Sequence, residues 1–539
     1  MASRKIGTVL FVVALVLVAA LPVTAQSFRV QCPTSTITHP VAANNNSEPA
    51  YTGPTTFTVG GNGYMVPSAK VNGAIKCQQV SGGDGYSTMA DGTQTFMFAF
   101  GPLSGLVDIA NGQPGTEFPN VFNQPFPGTL VAGDPATTID SYGPGSFTYN
   151  GAVGIQPDLD SPLGPTTIDG HVDPRQIMDI GVMNGNIPAP LLAFDEDDEF
   201  FLTLTNVGMI MRPDLFEQHT VHFHGYPNAS SIYDGVPDAS VAINIGGSFT
   251  YYYLAPDAGT YFWHCHITPP EHLQMGMVGQ LYVRPRQNRV PPGNSLYSSL
   301  QLQETDLRTA CNSATDILCS NPLPASNNGA SRASALTLCA GGTSTTTPLY
   351  VYNDGDGSTC YDVEYPLQIH GFDPNFHFVG MTFNPEGFVD MKDKYFLLNG
   401  RSYPDTVTPG PLQTESSDGR NHFSQPLPSI INIPAGGKAL LRISDLDVTE
   451  YQTLASLGIP MHVIGFNAKL LRDQAGNNLA YFTNSITLAG GESLDVILDA
   501  SNKTLYPKGS VFYLFTPQLD HLSNDAENFG GLLTEVHIN

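Results

Sequence analysis

From about residue 172 onward the chain is written in short runs that alternate apolar and polar positions. Examples are Glu199-Phe200-Phe201-Leu202-Thr203-Leu204-Thr205, Phe249-Thr250-Tyr251-Tyr252-Tyr253 and Gln280-Leu281-Tyr282-Val283. The texture resumes near 360, with Ala439-Leu440-Leu441-Arg442-Ile443, Leu494-Asp495-Val496-Ile497-Leu498 and Val511-Phe512-Tyr513-Leu514-Phe515. Short runs rich in aromatic and branched side chains, bounded by Gly and Pro, predict strands rather than helices. The expected fold class is all-β, as two sandwich-like domains with a decorated connection.

Composition agrees with that reading. The 539 residues include 54 Gly and 43 Pro, enough for many turns and little uninterrupted helix. Residues 26–171 are rich in Gly, Pro, Ser and Thr, with short apolar runs such as Thr95-Phe96-Met97-Phe98-Ala99-Phe100, and read as an irregular β-rich N-terminal extension. The first domain is expected over 172–287. Pro285 to Pro292, with Arg286 and Arg289, reads as a linker into a polar insertion, the two together covering 288–358, and the second domain fills 359–539. Charge narrows the partners: 22 Lys+Arg against 48 Asp+Glu leave a net −26, which repels nucleic acid and anionic lipid.

Arg4 and Lys5 precede an apolar run from Ile6 to Leu21, followed by Val23-Thr24-Ala25 with small residues where a signal peptidase cuts. Residues 1–25 are therefore expected to be a secretory signal, placing the protein in the periplasm, at the cell surface or outside the cell. Disulfides are permitted there. Of seven cysteines, Cys32 and Cys77, Cys311 and Cys319, and Cys339 and Cys360 fall as neighbours, with connectivity left open by spacing alone. Cys265 is the odd one, and it stands between two histidines.

The candidate chemistry gathers there. Six of the fourteen histidines lie in two segments, Gln218-His219-Thr220-Val221-His222-Phe223-His224-Gly225 and Trp263-His264-Cys265-His266-Ile267, the second continuing through Glu271-His272-Leu273-Gln274-Met275-Gly276-Met277. Strand parity sorts them. Cys265 faces one way and His264 and His266 the other; His222 and His224 share a face, and His219 is opposite. If the two strands pair, His219 joins Cys265 on one side and four histidines gather on the other. His219, Cys265 and His272 with an axial thioether form the ligand set of a blue copper site. Met277 is the axial candidate and Met275 its competitor. Copper ligation would also account for a cysteine left out of disulfides.

At these residues the sequence resembles the multicopper oxidases. Asn184-Gly185-Asn186-Ile187-Pro188-Ala189-Pro190 looks like their first strand, and the two histidine segments look like their C-terminal copper motifs, joined by Asp234-Gly235-Val236-Pro237. Asn399-Gly400-Arg401-Ser402-Tyr403-Pro404-Asp405 is similar to a motif of a second family domain. With the region Cys77 to Phe100, the likeness is to bacterial exported manganese or iron oxidases of the family. The resemblance implies two cupredoxin-like Greek-key domains, the second lacking a type 1 ligand set. It implies a type 1 copper held by His219, Cys265, His272 and Met277. His222, His224, His264 and His266 would supply half of a type 2/type 3 cluster that reduces dioxygen. Electrons would pass from Cys265 to its neighbours His264 and His266, the residues expected to be catalytic.

Two departures from the family pattern shape the expectation. Cys265 and His272 stand two residues further apart than usual, so Pro269-Pro270 is expected to bulge. The second domain carries His370, His377, His422, His462, His521 and His537 without a His-x-His pair. Three readings of the four-histidine face stay open: a cluster completed by His462 or His521 of a neighbouring subunit, a single copper as in copper nitrite reductases, or a copper protein of electron transfer without turnover. The partners expected are dioxygen, a small reduced substrate or metal ion, and further copies of the chain, a trimer by analogy. The acidic run Asp195-Glu196-Asp197-Asp198-Glu199 reads as a solvated loop, or as a collector of Mn²⁺ or Fe²⁺. Trp263 reads as a packed core aromatic or a step on the electron path.

Overall fold

The computed structural model describes residues 35–40, 49–102, 185–302, 322–325, 332 and 349–539, less positions 64, 68–70, 210, 213, 216, 226–229, 246, 256, 383–386 and 416–420. The expected leader, most of the extension and insertion, and Cys32, Cys311, Cys319 and Cys339 lie outside the described residues, as does the side chain of Cys77. The proposed disulfide pairs are therefore not tested. Among the described residues no helix is long and apolar enough to cross a membrane.

The first domain is a sandwich of two four-stranded sheets. Its elements are β1 (Ile75–Thr88), β2 (Gln94–Pro102), β3 (Leu192–Asp195), β4 (Glu199–Gly208), β5 (His222–His224), β6 (Ser248–Leu254), β7 (Gly259–His264), α1 (Pro269–Gln274) and β8 (Val278–Arg284). One sheet runs β2-β1-β4-β6 and the other β3-β8-β7-β5. Phe98, Leu202, Leu204, Phe223, Tyr251 and Trp263 meet between them in one core. Each such side chain taken from water contributes about 1.5–3 kcal/mol. Trp263 lies wholly in this core, 4.6 Å from the Phe100 ring.

Here the architecture departs from the sequence boundaries. Residues 75–102, assigned above to an extension, are two strands of the first domain: β1 pairs in parallel with β4 from Ile75↔Glu199 and antiparallel with β2. The alternation of Thr95 to Phe100 is that of a buried strand paired with its neighbour β1, but β1 in turn pairs with β4, Ile75 opposite Glu199, beyond the reach of any local pattern.

The second domain pairs a seven-stranded sheet, built on Val363–Phe372, Lys438–Asp445 and Glu492–Asp499, with a five-stranded one that includes Val511–Phe515 and Leu533–Ile538. Leu441, Ile443, Val496, Leu514 and Val536 fill the space between. The domains are joined by specific polar contacts. Gln280 Nε2 donates to the Arg442 carbonyl at 2.8 Å, and Thr260 Oγ1 donates to Asp495 at 2.6 Å.

Glu364 sits at the same seam between Arg284, 2.5 Å away, and Arg442 at 3.0 Å. Burial works to raise its pKa, but the two guanidinium groups win and hold it at about 2. A folded pKa below the unfolded value means that this stabilisation is complete above about 4.5 and lost as pH falls toward 2. Glu364→Gln should flatten the acid limb of a plot of urea midpoint against pH in that window. An unchanged limb would assign acid sensitivity to other carboxylates.

Candidate metal centre

β5 and β7 lie side by side and antiparallel, with His222 opposite His264 and Phe223 opposite Trp263. Just beyond β7, Cys265 faces into the sandwich and meets His219 and His272. One ligand atom from each of the three lies within 4.8 Å of the others, and all three residues are buried. His272 Nδ1 is 3.3 Å from Cys265 Sγ, and the Thr220 N–H points at the same sulfur from 3.4 Å. His219 has no exposed surface, and neither of its ring nitrogens has a hydrogen-bond partner. Burying two unpaired polar atoms costs free energy unless something absent from the protein atoms satisfies one of them. A metal between His219, Cys265 and His272 would do so.

The electrostatics suit a soft cation. Burial raises the Cys265 pKa, but His272 and His219 outweigh it and hold the thiol well below its usual range. Burial likewise opposes the charge on His272, yet the thiolate pushes its pKa up to about 9. The sulfur is thus poised as thiolate, the form that binds metal. Beyond the ring, His272 Nε2 stands 3.4 Å from Glu217 Oε2, close enough for electrostatic attraction although too skewed for a hydrogen bond.

Both thioethers are buried. The Met275 sulfur, however, packs toward the second domain, 3.4 Å from where a Cβ on Gly380 would stand. Met277 is tied to the ligands by its backbone: its carbonyl accepts from Cys265 N at 3.2 Å and its N–H donates to the His272 carbonyl at 2.9 Å. Pro269 and Pro270 do not bulge. They open α1, where the first turn needs no N–H from either, and the helix absorbs the extra residues while carrying His272 inward.

Two residues of this site were missed in the sequence because they come from β1 and β2. Phe98 walls it with ring centroids 5.0 Å from His272 and 6.4 Å from His219. Gly82 lets β1 press on His219: a Cβ there would lie 2.5 Å from Cδ2 of the ring. Gly82→Ala should displace that imidazole and weaken copper binding by roughly 10- to 100-fold. Titration of the metal-free protein with copper would measure it, and an unchanged affinity would remove His219 from the ligand set.

On the opposite face His222, His224, His264 and His266 form a second group. Ring centroids are 5.2 Å apart for His222–His264, 4.9 Å for His222–His266 and 6.1 Å for His224–His264. His222 Nδ1 donates to the Asp234 carbonyl at 2.6 Å and His264 Nδ1 to the Cys265 carbonyl at 2.8 Å. Each bond fixes the proton on Nδ1 and leaves Nε2 with a free lone pair. Burial lowers the pKa of His222, His224 and His264, the last to about 3, so these rings present lone pairs at neutral pH. The Asp234-Gly235 turn thus serves to aim His222.

His224 and His264 open into a cavity of about 500 Å³ between the domains, closed on the far side by Leu446–Tyr451 and Ala489–Gly491. No histidine of the second domain lines it among the described residues. His370 and His377 are buried against backbone carbonyls. His462 stacks on Phe482, and His537 contacts Glu535. His521 is buried against Phe396 and Gln452, which withdraws it from any neighbouring subunit. The side chain of His422 lies outside the described residues.

The acidic run is neither a solvated loop nor a collector of cations. All five residues are buried. Arg286, read above as part of a linker, forms a bidentate pair with Asp197 at 2.7–3.0 Å, and Arg289 adds a third contact at 3.0 Å. Glu196 accepts from Ala258 N, Arg286 N and Asn353. Asp198 takes Lys76, and Glu199 takes His39 and Tyr252. Sequence shows five acids in a row but not the cations that later elements bring to them.

Residues 167–288, which hold both donor groups, match the family model described as multicopper oxidase. Over this segment the chain is similar to the multicopper oxidases. A multicopper oxidase of Talaromyces pinophilus is 34% identical over 123 residues, 22% of this chain and 19% of that relative. Laccase abr2 of Aspergillus fumigatus is 32% identical over 128 residues, 23% of this chain and 20% of the relative. The matches thus span about a fifth of the length of these curated relatives. Among solved structures, the blue copper oxidase from Nitrosomonas europaea shares 18% identity over 86% of either chain, at a TM-score of 0.46. Copper is the metal of multicopper oxidases, and two imidazoles, a thiolate and a nearby thioether fit it. The relatives named here from curated proteins are fungal, unlike the bacterial subgroup suggested by the sequence motifs.

Proposed function

We propose that the chain is an exported copper-dependent oxidase that takes single electrons from a reduced substrate and delivers them to dioxygen. The observation that carries the reading is the arrangement along one strand end. Cys265 belongs to a buried His-Cys-His group, while its covalent neighbours His264 and His266 belong to the group on the opposite face. Copper at the two groups would supply one-electron redox chemistry at the first and dioxygen reduction at the second.

The protein's own part is positioning and insulation. His219, Cys265, His272 and Met277 hold the electron-accepting site in a dry pocket. The Thr220 N–H directed at Cys265 Sγ favours the thiolate. The His264–Cys265 hydrogen bond adds a second connection to the peptide link between the groups. Glu217 beside His272 marks the edge where a donor would approach. A reduced metal ion (Mn²⁺, Fe²⁺ or Cu⁺) suits that carboxylate, and a phenol is the other substrate class carried by the reading. The four histidines are half of what a trinuclear cluster requires, so the reading includes a homo-oligomer, a trimer by analogy, whose partner supplies the rest.

A second reading is favoured by one specific observation: the far wall of the cavity has carboxylates and no histidine among the described residues. On that reading the protein binds copper and transfers electrons without oxidase turnover, or uses His224 and His264 as a nitrite reductase would. Oxygen uptake separates these. The oxidase should consume one dioxygen for every four electrons from a reduced donor. Absence of uptake with metal and phenolic donors alike, or nitrite consumption instead, would contradict it.

A further inference from the structure

The His219–Cys265–His272 group is drawn from the first domain, yet the second domain holds the segment that carries His272 and Met277. Helix α2 (Pro374–Thr382) belongs to the second domain and packs on β2. Its Phe376 is buried in the first domain's core together with Phe98, Cys265, Met275 and Met277. The Gly380 carbonyl accepts from Arg212 Nη1 at 2.7 Å, and Gly380 packs on the Met275 thioether.

The hold centres on Gln274, which stands between His272 and Met277 and has no exposed surface. Its Oε1 accepts from Asp373 N at 3.0 Å, and its Nε2 donates to Asp393 Oδ1 at 2.9 Å. Its carbonyl faces His377 Nε2 at 2.9 Å, while His377 Nδ1 lies 2.5 Å from the Phe96 carbonyl. Asp373, Asp393 and His377 all belong to the second domain, and Asp373 is itself fixed. It caps α2, accepting from Asn375 N and Lys392 N at 2.8 Å each. A buried amide bonded at both ends cannot turn without leaving polar atoms unpaired. Local structure offers no equivalent restraint. Helix α1 has only six residues, ending at Gln274, and would not hold its shape unaided. The chain then turns through Gly276 at φ 112°, a conformation open to glycine.

We propose that Gln274 is a positioning residue through which the second domain fixes the type 1 ligand geometry and so sets how readily that site accepts an electron. The inference rests on the type 1 reading above. Gln274 is not a ligand; it acts through His272 and Met277 on either side of it. Copper(II) favours tetragonal surroundings, whereas copper(I) is satisfied by soft thiolate and thioether donors. A ligand segment held from outside denies copper(II) the arrangement it prefers. A released segment lets the donors move toward it, which stabilises the oxidised state and lowers the reduction potential.

The test uses the full-length protein with Gln274→Leu and His377→Leu, each removing part of the hold. Thr260→Val is the control, because it breaks a hydrogen bond between the domains at the far end of β7. In the copper-loaded Gln274→Leu protein the equilibrium for reduction of the blue centre by a given donor should fall by about tenfold, about 59 mV for one electron. The copper hyperfine splitting in EPR should widen with it. His377→Leu should shift both in the same direction, and it carries the test should Gln274→Leu not fold. In copper-free protein the Met275 and Met277 amides, bonded to the Glu271 and His272 carbonyls, should exchange with deuterium about tenfold faster in both variants. Thr260→Val should leave potential and exchange as in the wild type. A wild-type potential or wild-type exchange in both variants, or an equal change in Thr260→Val, would overturn the positioning role. A wild-type protein without a blue band would instead overturn the type 1 reading, while exchange in the copper-free protein would still judge the hold on the segment.

Discussion

Cys265→Ser abolishes the intense blue absorption of the copper-loaded protein and stops electron delivery from donor to dioxygen. The band expected of this site comes from a copper–thiolate bond, and Cys265 is the buried thiol that meets His219 and His272. A serine hydroxyl occupies nearly the same volume, so the core around it should hold. It does not ionise near neutral pH and is a hard donor, whereas the thiol is biased toward thiolate by two imidazoles. The four histidines across the strand keep their backbone hydrogen bonds. Copper bound there should therefore stay visible by EPR after the blue signal is gone. A variant that keeps the absorption band would refute the ligand assignment outright.

Arg286→Ala should be the most destabilising single substitution outside the copper site, by about 3–5 kcal/mol. Arg286 is 2% exposed and is the bidentate partner of Asp197, with Glu196 also within reach. Removing it takes from buried Asp197 its bidentate partner, leaving Arg289 to offset that charge in part, and an uncompensated buried charge costs more than a buried pair contributes. The same residue ties β8 to the turn between β3 and β4, so its loss loosens the edge of the sheet that carries β7. Urea unfolding should show the shift, and Arg286→Ala combined with Asp197→Ala should recover part of it. A shift below about 1 kcal/mol would mean that the pair is as dispensable as a surface ion pair.

Cys265 and Arg286 stand on opposite sides of what a chain reveals before it folds. Cys265 was legible because ligand chemistry and strand parity are both local. His219, His264, Cys265, His266 and His272 declare two groups through spacing alone. Arg286 was misread because its meaning depends on a contact 89 positions away. The same holds for Gly82, on β1, which pairs with the distant β4, and for Phe98, on β2, which joins that sheet through β1. Periodicity identified a strand there but not the sheet that owns it. Pro269-Pro270 misled for a different reason. Two prolines usually interrupt regular structure, yet at the opening of a helix neither needs its missing N–H.

The second domain was legible as strands and little more. Its six histidines invited a search for ligands, whereas the residues that face the cavity are Asp447, Thr449 and Glu450. Acids in a segment such as Asp445-Leu446-Asp447 look like ordinary surface residues until the fold buries them. Their convergence on Gly371 and Asp393 is a tertiary fact with no sequence signature.

The most direct test of the central claim is a count of copper in the purified, fully loaded protein together with its EPR spectrum. More than one copper per chain is expected, with a type 1 signal that disappears in Cys265→Ser and a second signal that survives it. A single copper per chain, giving one signal that Cys265→Ser removes entirely, would contradict an oxidase and leave an electron carrier.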